Sequence, residues 1–90
     1  MFWITKAAEN GHITAQSQLG NMYFTGLGGR QDLNQAEFWF RKSAEQGDAS
    51  AQCGLGSCYH AKGNFADARR WYGKAAAQGH EGAIQMLNKI

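Results

Sequence analysis

The sequence predicts an all-α solenoid of about six helices, and three observations support this prediction. The same residues recur at a common pair of spacings, apolar residues within each copy step by three and four positions, and glycine follows the apolar pattern. The 90 residues also include fourteen alanines and three tryptophans but no proline. Small alanines allow helices to approach closely while aromatic rings fill the gaps between them, so this composition favours packed helices.

The repeat is visible in single columns of the sequence. Four columns recur at spacings of 36 and then 32 residues: Trp3, Trp39 and Trp71; Gly11, Gly47 and Gly79; Ala15, Ala51 and Ala83; and Leu19, Leu55 and Leu87. The shorter spacing comes from the connection within the copy, which reads FTGLGGRQD in one copy and HAKGN in the next. We therefore divide a single domain, residues 1–90, into a half repeat at 1–11, repeats at 12–47 and 48–79, and a terminal half repeat at 80–90.

Each copy is predicted to be a pair of antiparallel helices joined by a short turn. Apolar periodicity and glycines predict helices at 2–10, 13–25, 33–46, 49–61, 65–78 and 81–89. Five polar residues stand at N-cap positions: His12, Asp32, Asp48, Asn64 and His80. Asp32 and Gln35 also have the spacing of a capping box. Gly47 and Gly79 follow the predicted helix ends, where a left-handed residue commonly closes the last turn.

Several residues that invite a chemical role are better explained by packing. Helical spacing and recurrence predict that five aromatic residues pack in the core or between repeats: Trp3, Trp39, Trp71, Phe38 and Tyr72. Cys58 aligns with Met22 in an apolar column, which predicts a buried thiol. Cys53 and Cys58 lie about 140° apart around one helix, so no disulfide is expected. Cys53 and His60 are separated by about 10 Å along the axis, too far for one metal ion, so no metal site is expected.

Composition and motifs argue against several classes of protein. The chain has no apolar run of about 18 residues, and its net charge of +2 is not gathered into a basic stripe, so neither a membrane span nor a nucleic-acid partner is expected. It contains none of the hydrolase, zinc-protease or phosphate-loop signatures, so no enzyme activity and no cofactor are expected. Gly26, Gly28 and Gly29 lie between two predicted helices, which indicates a flexible connection rather than a phosphate cradle. The N-terminus lacks a signal-peptide cleavage site, which favours a cytoplasmic location.

The segment from Trp39 to Tyr59 resembles the Sel-one-like repeat, a relative of the tetratricopeptide repeat. The resemblance rests on the columns A-x3-F/W-x3-A-x2-G followed by A-Q-x2-L-G-x2-Y, and it extends over nearly the whole chain. It implies a right-handed α/α superhelix that serves as a non-enzymatic scaffold or adaptor for protein or peptide partners. The chain departs from the pattern in its shortened connection and in its last segment, where Met86 and Asn88 replace small or glycine columns.

In the tetratricopeptide relatives, the helix that carries L-G-x2-Y lines the concave face. The resemblance therefore implies a partner-binding groove at ten positions: Ser17, Asn21, Phe24, Thr25, Cys53, Ser57, His60, Ala61, Gln85 and Lys89. The Asn21 amide has the donor and the acceptor needed to hold a peptide backbone by two hydrogen bonds. The same positions also fit an ordinary solvated face, and we keep that interpretation open.

Three other interpretations also stay open. The first is self-association, or contact with neighbouring repeats of a longer chain, because apolar residues stand at both ends: Met1, Phe2, Trp3, Ile4, Ile84, Leu87 and Ile90. The second is an enzyme that uses Cys53 or Cys58 as a nucleophile. The third is a basic rim for an acidic partner, formed by Arg41, Lys42, Arg69, Arg70 and Lys74.

Overall fold

The computed structural model describes residues 2–27 and 29–89, and these residues form six helices without a strand. The helices are α1 (Phe2–Glu9), α2 (Ile13–Thr25), α3 (Leu33–Ala44), α4 (Ala49–Ala61), α5 (Phe65–Ala77) and α6 (Glu81–Lys89). Met1, Gly28 and Ile90, which figure in the expectations above, lie outside the described residues. The predicted all-α architecture is confirmed, and the body measures 36 × 24 × 17 Å.

The helices are of two kinds. We call α1, α3 and α5 the tryptophan helices and α2, α4 and α6 the leucine helices, after the column that each carries. Each helix packs against the next one in the chain, so every leucine helix lies between two tryptophan helices except at the end of the described chain. None of the six is both long and apolar enough to cross a bilayer.

The leucine helices have the predicted bounds, whereas the tryptophan helices end one or two residues earlier. The reason is a tightened last turn, in which the Gln46 amide donates to the Ser43 carbonyl at 3.1 Å, three residues back instead of four. Gly47 and Gly79 then follow with φ angles of 95° and 86°. This left-handed conformation favours glycine, so the predicted glycine caps are confirmed.

The predicted N-caps are also confirmed. The capping side chains of His12, Asp32, Asp48, Asn64 and His80 each accept a hydrogen bond from an amide in the first turn of the following helix. The reciprocal bond of a capping box is not formed at α3, because the Asp32 amide donates to the Tyr23 carbonyl at 2.9 Å. That bond instead closes the connection between α2 and α3.

The core is a series of three clusters, and each pair of helices contributes mainly to one of them. Their buried members are Ala8, Ala15, Leu19 and Trp39; then Ala36, Phe40, Ala44, Ala51, Leu55 and Cys58; then Ala68, Tyr72, Ala75 and Ala83. Trp39 belongs to α3 but packs with the pair α1–α2, and Trp71 of α5 packs with the pair α3–α4. Each of these tryptophans therefore joins its own pair to the pair before it. Cys58 is fully buried in the second cluster, as predicted.

Glycines on the leucine helices provide space for aromatic rings. A Cβ at Gly20 would come within 2.8 Å of the Phe40 ring, and one at Gly54 would come within 2.6 Å of the same ring. The same contact recurs in the next repeat. Gly56 and Tyr72 occupy the columns of Gly20 and Phe40, and a Cβ at Gly56 would come within 2.8 Å of the Tyr72 ring. The contact is therefore a property of the repeat, and it depends on glycine at both positions.

Two of the five aromatic residues that we predicted to pack inside are exposed instead. Trp3 is 79% exposed on α1 and Phe38 is 50% exposed on α3, so the prediction was wrong for both. The equivalents of Trp3 pack into a preceding helix pair, and the described residues include no pair before α1. The Phe38 ring lies edge-on to Trp39, with centroids 5.0 Å apart, and the Lys42 ammonium lies 5.0 Å from its centroid, so its contacts are made at the surface.

Buried glutamines form a second contact that repeats along the chain. Gln16 donates from Nε2 to the Ala8 carbonyl at 3.0 Å, and its Oε1 accepts from Gln46 Nε2 at 2.9 Å. Its equivalent, Gln52, donates to the last carbonyl of α3 at 3.3 Å and accepts from Gln78 Nε2 at 2.9 Å. We call these four residues the glutamine ladder. Each half of it connects a leucine helix to the tryptophan helices on both sides.

An ionic cluster ties α3 to the residue after α4. The Glu37 carboxylate accepts from Arg41 at 2.9 Å and from Lys62 at 2.6 Å, and the Tyr59 hydroxyl lies between Glu37 and the Arg41 guanidinium. Burial acts to raise the pKa of Glu37, but the hydrogen bonds and charges of Lys62 and Arg41 outweigh it and hold the pKa below its ordinary value. The ionised form of Glu37 therefore stabilises the fold.

Replacing Trp39 by alanine is expected to lower the free energy of unfolding by about 3–5 kcal/mol, because a large cavity opens between two helix pairs. Trp3→Ala removes the equivalent residue from an exposed site and should change the free energy by less than about 0.5 kcal/mol. Urea unfolding in dilute solution, followed by circular dichroism, measures both. Similar losses in the two variants would contradict the assignment of Trp39 as the anchor between the two helix pairs.

The Glu37→Gln variant tests the ionic cluster through its pH dependence. The pKa of Glu37 is lower in the folded chain than in the unfolded one, so its contribution is present above the unfolded pKa of about 4.3 and is lost as the pH falls through the folded pKa. We expect the variant to be less stable near pH 7 by up to about 1 kcal/mol, and the difference to close in acid. Urea unfolding at both pH values checks this, with Glu9→Gln as the exposed control. A difference that does not vary with pH would show that charge plays no part.

Candidate partner-binding surface

The ten positions of the candidate groove lie on the three leucine helices. Of the helix pairs that are not successive in the chain, α2 and α4 are the one pair in the described part that packs closely. Gly20 and Gly54 face the same Phe40 ring, so these helices approach each other around a shared aromatic side chain. In contrast, α4 and α6 have at most marginal contact. The structure therefore brings the α2 and α4 positions together and leaves the α6 positions at a distance.

On α2, the predicted positions differ in how free their side chains are. Phe24 is partly buried against the second core cluster and Ser17 is also partly buried. Thr25 is exposed, but its hydroxyl donates to the Asn21 carbonyl at 2.9 Å and accepts from the Leu27 amide at 3.3 Å. The Thr25 side chain thus caps its own helix end, which reduces its capacity to bind a partner.

Asn21 is the α2 position best placed for recognition. Its side chain is exposed, and its amide makes no hydrogen bond within residues 2–27 and 29–89. Phe24, one turn further along the helix, supplies a partly buried aromatic surface beside it. An amide next to an apolar surface is an arrangement that can hold a peptide backbone and one of its side chains.

On α4, three of the four predicted side chains are engaged with the next helix pair. Cys53 packs against the third core cluster, the Ser57 hydroxyl lies 3.0 Å from the Tyr72 hydroxyl, and the His60 ring lies edge-on to Phe65 with centroids 5.3 Å apart. All three are partly buried, whereas Ala61 is exposed. Sequence alone gives no sign of these contacts, because their partners lie on another helix, α5.

Burial perturbs the titration of the hydroxyl and thiol groups near α4. It raises the pKa of Tyr72, an effect that the hydrogen bond to Ser57 only partly offsets. It also raises the pKa of the Cys53 thiol. For Cys58, burial and then the charge of Glu37 raise the pKa to about 12. These groups are therefore neutral near pH 7.

The α6 positions, Gln85 and Lys89, are both exposed. Lys89 carries a positive charge, and none of the ten positions is a carboxylate. The α6 helix has a single buried residue, Ala83, and it carries Asn88 in the column where α2 and α4 carry glycine. Its two positions thus form a separate polar patch beyond the surface of α2 and α4.

The basic residues of the tryptophan helices are largely occupied within the molecule. Arg41 is paired with Glu37, and the side chains of Arg70 and Lys74 both lie over the Trp71 ring, 5.9 and 5.4 Å from its centroid. Cations over an aromatic ring are stabilised by the charge distribution of that ring. These contacts favour an ordinary charged surface over a dedicated basic rim.

The structure contains a cavity away from the ten positions. A cavity of about 340 Å³ lies between the end of α1 and α3, and none of the ten positions lines it. Its lining residues are Ala8, Glu9, Gly11, Gln16, Phe38, Trp39 and Lys42. Among the described residues, no three His, Cys, Asp or Glu side chains are grouped as metal ligands.

Sequence reasoning missed two networks that position the surface. The glutamine ladder is signalled by the recurrence of Gln16 and Gln52, but the donors and acceptors that they meet lie on other helices. The pairing of Glu37 with Arg41 is signalled by a spacing of four residues on one helix. Lys62, the third member of the ionic cluster, has no comparable signal because it lies 25 residues away.

Comparison with known proteins agrees with the repeat seen in the helices. The Sel1 repeat family matches at residues 1–12, 13–48 and 49–80. A Sel1 repeat protein from Oxalobacter formigenes has 38% sequence identity to the chain, and its crystal structure is similar in fold, with a TM-score of 0.85. That similarity covers 99% of this chain and 27% of the other, and no curated protein matches the chain. The resemblance noted in the sequence is thus confirmed, and the chain belongs to the Sel1 repeat family.

Proposed function

We propose that the chain is a non-enzymatic module for protein–protein interaction, and that it binds a peptide segment of its partner across α2 and α4. Sel1 repeats typically mediate protein–protein interaction, which supports the general role. The single observation that carries the proposed surface is the close packing of α2 against α4. This packing sets equivalent positions of two successive repeats side by side, so one extended segment reaches both helices.

The chemistry of the surface favours an extended segment with an apolar side chain. Asn21 offers an amide for the peptide backbone, and Phe24 offers an aromatic surface for one side chain. The α4 side chains contribute less hydrogen-bonding capacity, because Ser57 is engaged with Tyr72. The absence of carboxylates among the ten positions means that an acidic segment meets no repulsion there. The surface is small, so the affinity is expected to be low unless neighbouring repeats take part.

The double variant Asn21→Ala/His60→Ala tests this surface. Crosslinking in cells of the source organism identifies the partner, and titration with that partner then measures affinity. We expect the variant to bind about tenfold more weakly or worse, because hydrogen bonds contribute about 1 kcal/mol each. The matched control is Gln35→Ala/Arg69→Ala, which removes an exposed amide and an exposed cation from tryptophan helices. If the Asn21→Ala/His60→Ala variant binds as the parent does and the control binds more weakly, the binding site lies on the tryptophan helices instead.

A thiol-dependent enzyme is the less favoured function. Such an enzyme needs a thiolate, which is the nucleophilic form of cysteine, and a raised pKa leaves little thiolate near pH 7. Burial raises the pKa of both thiols, and that of Cys58 to about 12. We expect both to react with a disulfide reagent more slowly than free cysteine near neutral pH, with Cys58 the slower. The variants Cys53→Ser and Cys58→Ala assign the two rates. A thiol that reacts faster than free cysteine in the folded chain would restore the enzyme hypothesis.

A further inference from the structure

The cavity of about 340 Å³ lies inside the first interface between helix pairs. Its lining residues belong to α1, the turn after α1, α2 and α3, and two of them, Ala8 and Trp39, are buried members of the first core cluster. Trp3, in contrast, stands in the column that packs on a preceding pair. The cavity therefore lies on the side of α1 that faces α3, and none of its walls depends on a residue before α1.

The chain bridges the equivalent space between α3 and α5 with one of its own side chains. There, Gln78 donates from Nε2 to the Gly47 carbonyl at 2.9 Å. Its equivalent in the first interface, Gln46, donates instead to the Lys42 carbonyl on its own helix, at 3.0 Å. Gly11, the equivalent of Gly47, lines the cavity. A glutamine that turns back along α3 thus leaves a space in the first interface where the second interface is bridged.

The residue beside the column tryptophan also differs between the two interfaces. In α5 it is Arg70, and the side chains of Arg70 and Lys74 both lie over the Trp71 ring. In α3 it is Phe38, which lines the cavity, is half exposed and lies edge-on to Trp39. The cavity therefore has a wall of two aromatic rings at the place where the second interface carries two cations over one ring.

Two opposite charges line the cavity without pairing with each other. Glu9 reaches it from the end of α1 and Lys42 from α3, and both residues are exposed. Within residues 2–27 and 29–89, no ion pair joins the Glu9 carboxylate to the Lys42 ammonium or to another side chain. The Lys42 ammonium lies 5.0 Å from the centroid of the Phe38 ring, so the positive charge stands beside the aromatic wall.

This arrangement is complementary to a ligand that carries both charges and an apolar group. A carboxylate and an ammonium each form their strongest hydrogen bonds with a group of opposite charge. Aromatic walls with a few polar groups at defined places are typical of small-molecule sites, which commonly have volumes of about 300–1,000 Å³. The cavity, at about 340 Å³, is at the lower end of that range, so it is suited to a ligand as small as an amino acid.

We infer that the cavity between α1 and α3 binds a small zwitterion with an apolar side chain, such as free phenylalanine or leucine. The ammonium group of the ligand pairs with Glu9 and its carboxylate pairs with Lys42. Its side chain lies against Phe38 and Trp39, which line the cavity. None of the ten positions of the proposed groove lines the cavity, so the inference stands independently of the peptide-binding surface.

Nuclear magnetic resonance of the isotope-labelled chain, titrated with L-phenylalanine and L-leucine up to about 10 mM, tests the inference. We expect a dissociation constant on the order of 1 mM, because so small a ligand makes few contacts. The largest shifts should occur at the Gly11 amide and the Trp39 indole N–H. The resonances of Gly47 and Trp71, which occupy the same columns in the second interface, should stay unchanged. Absence of binding by both amino acids, or larger shifts at the second interface, would overturn the inference.

Ligands that lack one charge assign the two contacts. Phenethylamine has no carboxylate and hydrocinnamate has no ammonium, so each should bind about fivefold more weakly than phenylalanine. Glu9→Gln should weaken phenylalanine by a similar factor without weakening hydrocinnamate, and Lys42→Gln should weaken phenylalanine without weakening phenethylamine.

The matched control is Glu45→Gln/Lys74→Gln, which changes the same two columns at the second interface and should bind phenylalanine as the parent does. Thermal unfolding confirms that each variant is folded. Equal affinity for phenylalanine and both analogues would overturn the recognition of a zwitterion. An equal loss of binding in the control would overturn the location of the site.

Discussion

The structure depends on the packing of a tryptophan from each helix pair into the pair before it. A pair of short helices cannot bury its own apolar face, and the alanines that face each tryptophan are too small to close the core alone. Trp39 and Trp71 supply the missing volume from the next helix pair. Stability is therefore shared between neighbouring pairs, and a core residue of one pair is a contact for another.

Two further constraints set how closely the pairs approach. Gly20 and Gly54 leave room for the Phe40 ring, and a Cβ at either position would come within 3 Å of it. The glutamine ladder satisfies polar groups in the same interfaces, which matters because buried polar groups are costly when unpaired. Aromatic rings fill the space between the helices, the glycines leave room for them, and the hydrogen bonds pair the polar groups that the contact buries.

This construction also shapes the surface that we propose for partners. The proposal rests on the packing of α2 against α4, whereas α6 has at most marginal contact with α4. The side chains of α4 are held by residues of α5, and the Asn21 amide is the more available group. Trp3 and Ile84 are also exposed, but neither belongs to the ten positions proposed for partner binding.

By itself, the sequence determined the helices, their caps, the repeat and the burial of Cys58. These features depend on residues a few positions apart or on columns that recur, and both can be read along the chain. Only the tertiary structure decided that Trp39 is buried while Trp3 is exposed, and that Ser57 is engaged while Asn21 is available. The physical reason is that burial and hydrogen bonding depend on the helix that lies opposite. Equivalent residues therefore differ wherever their neighbours do.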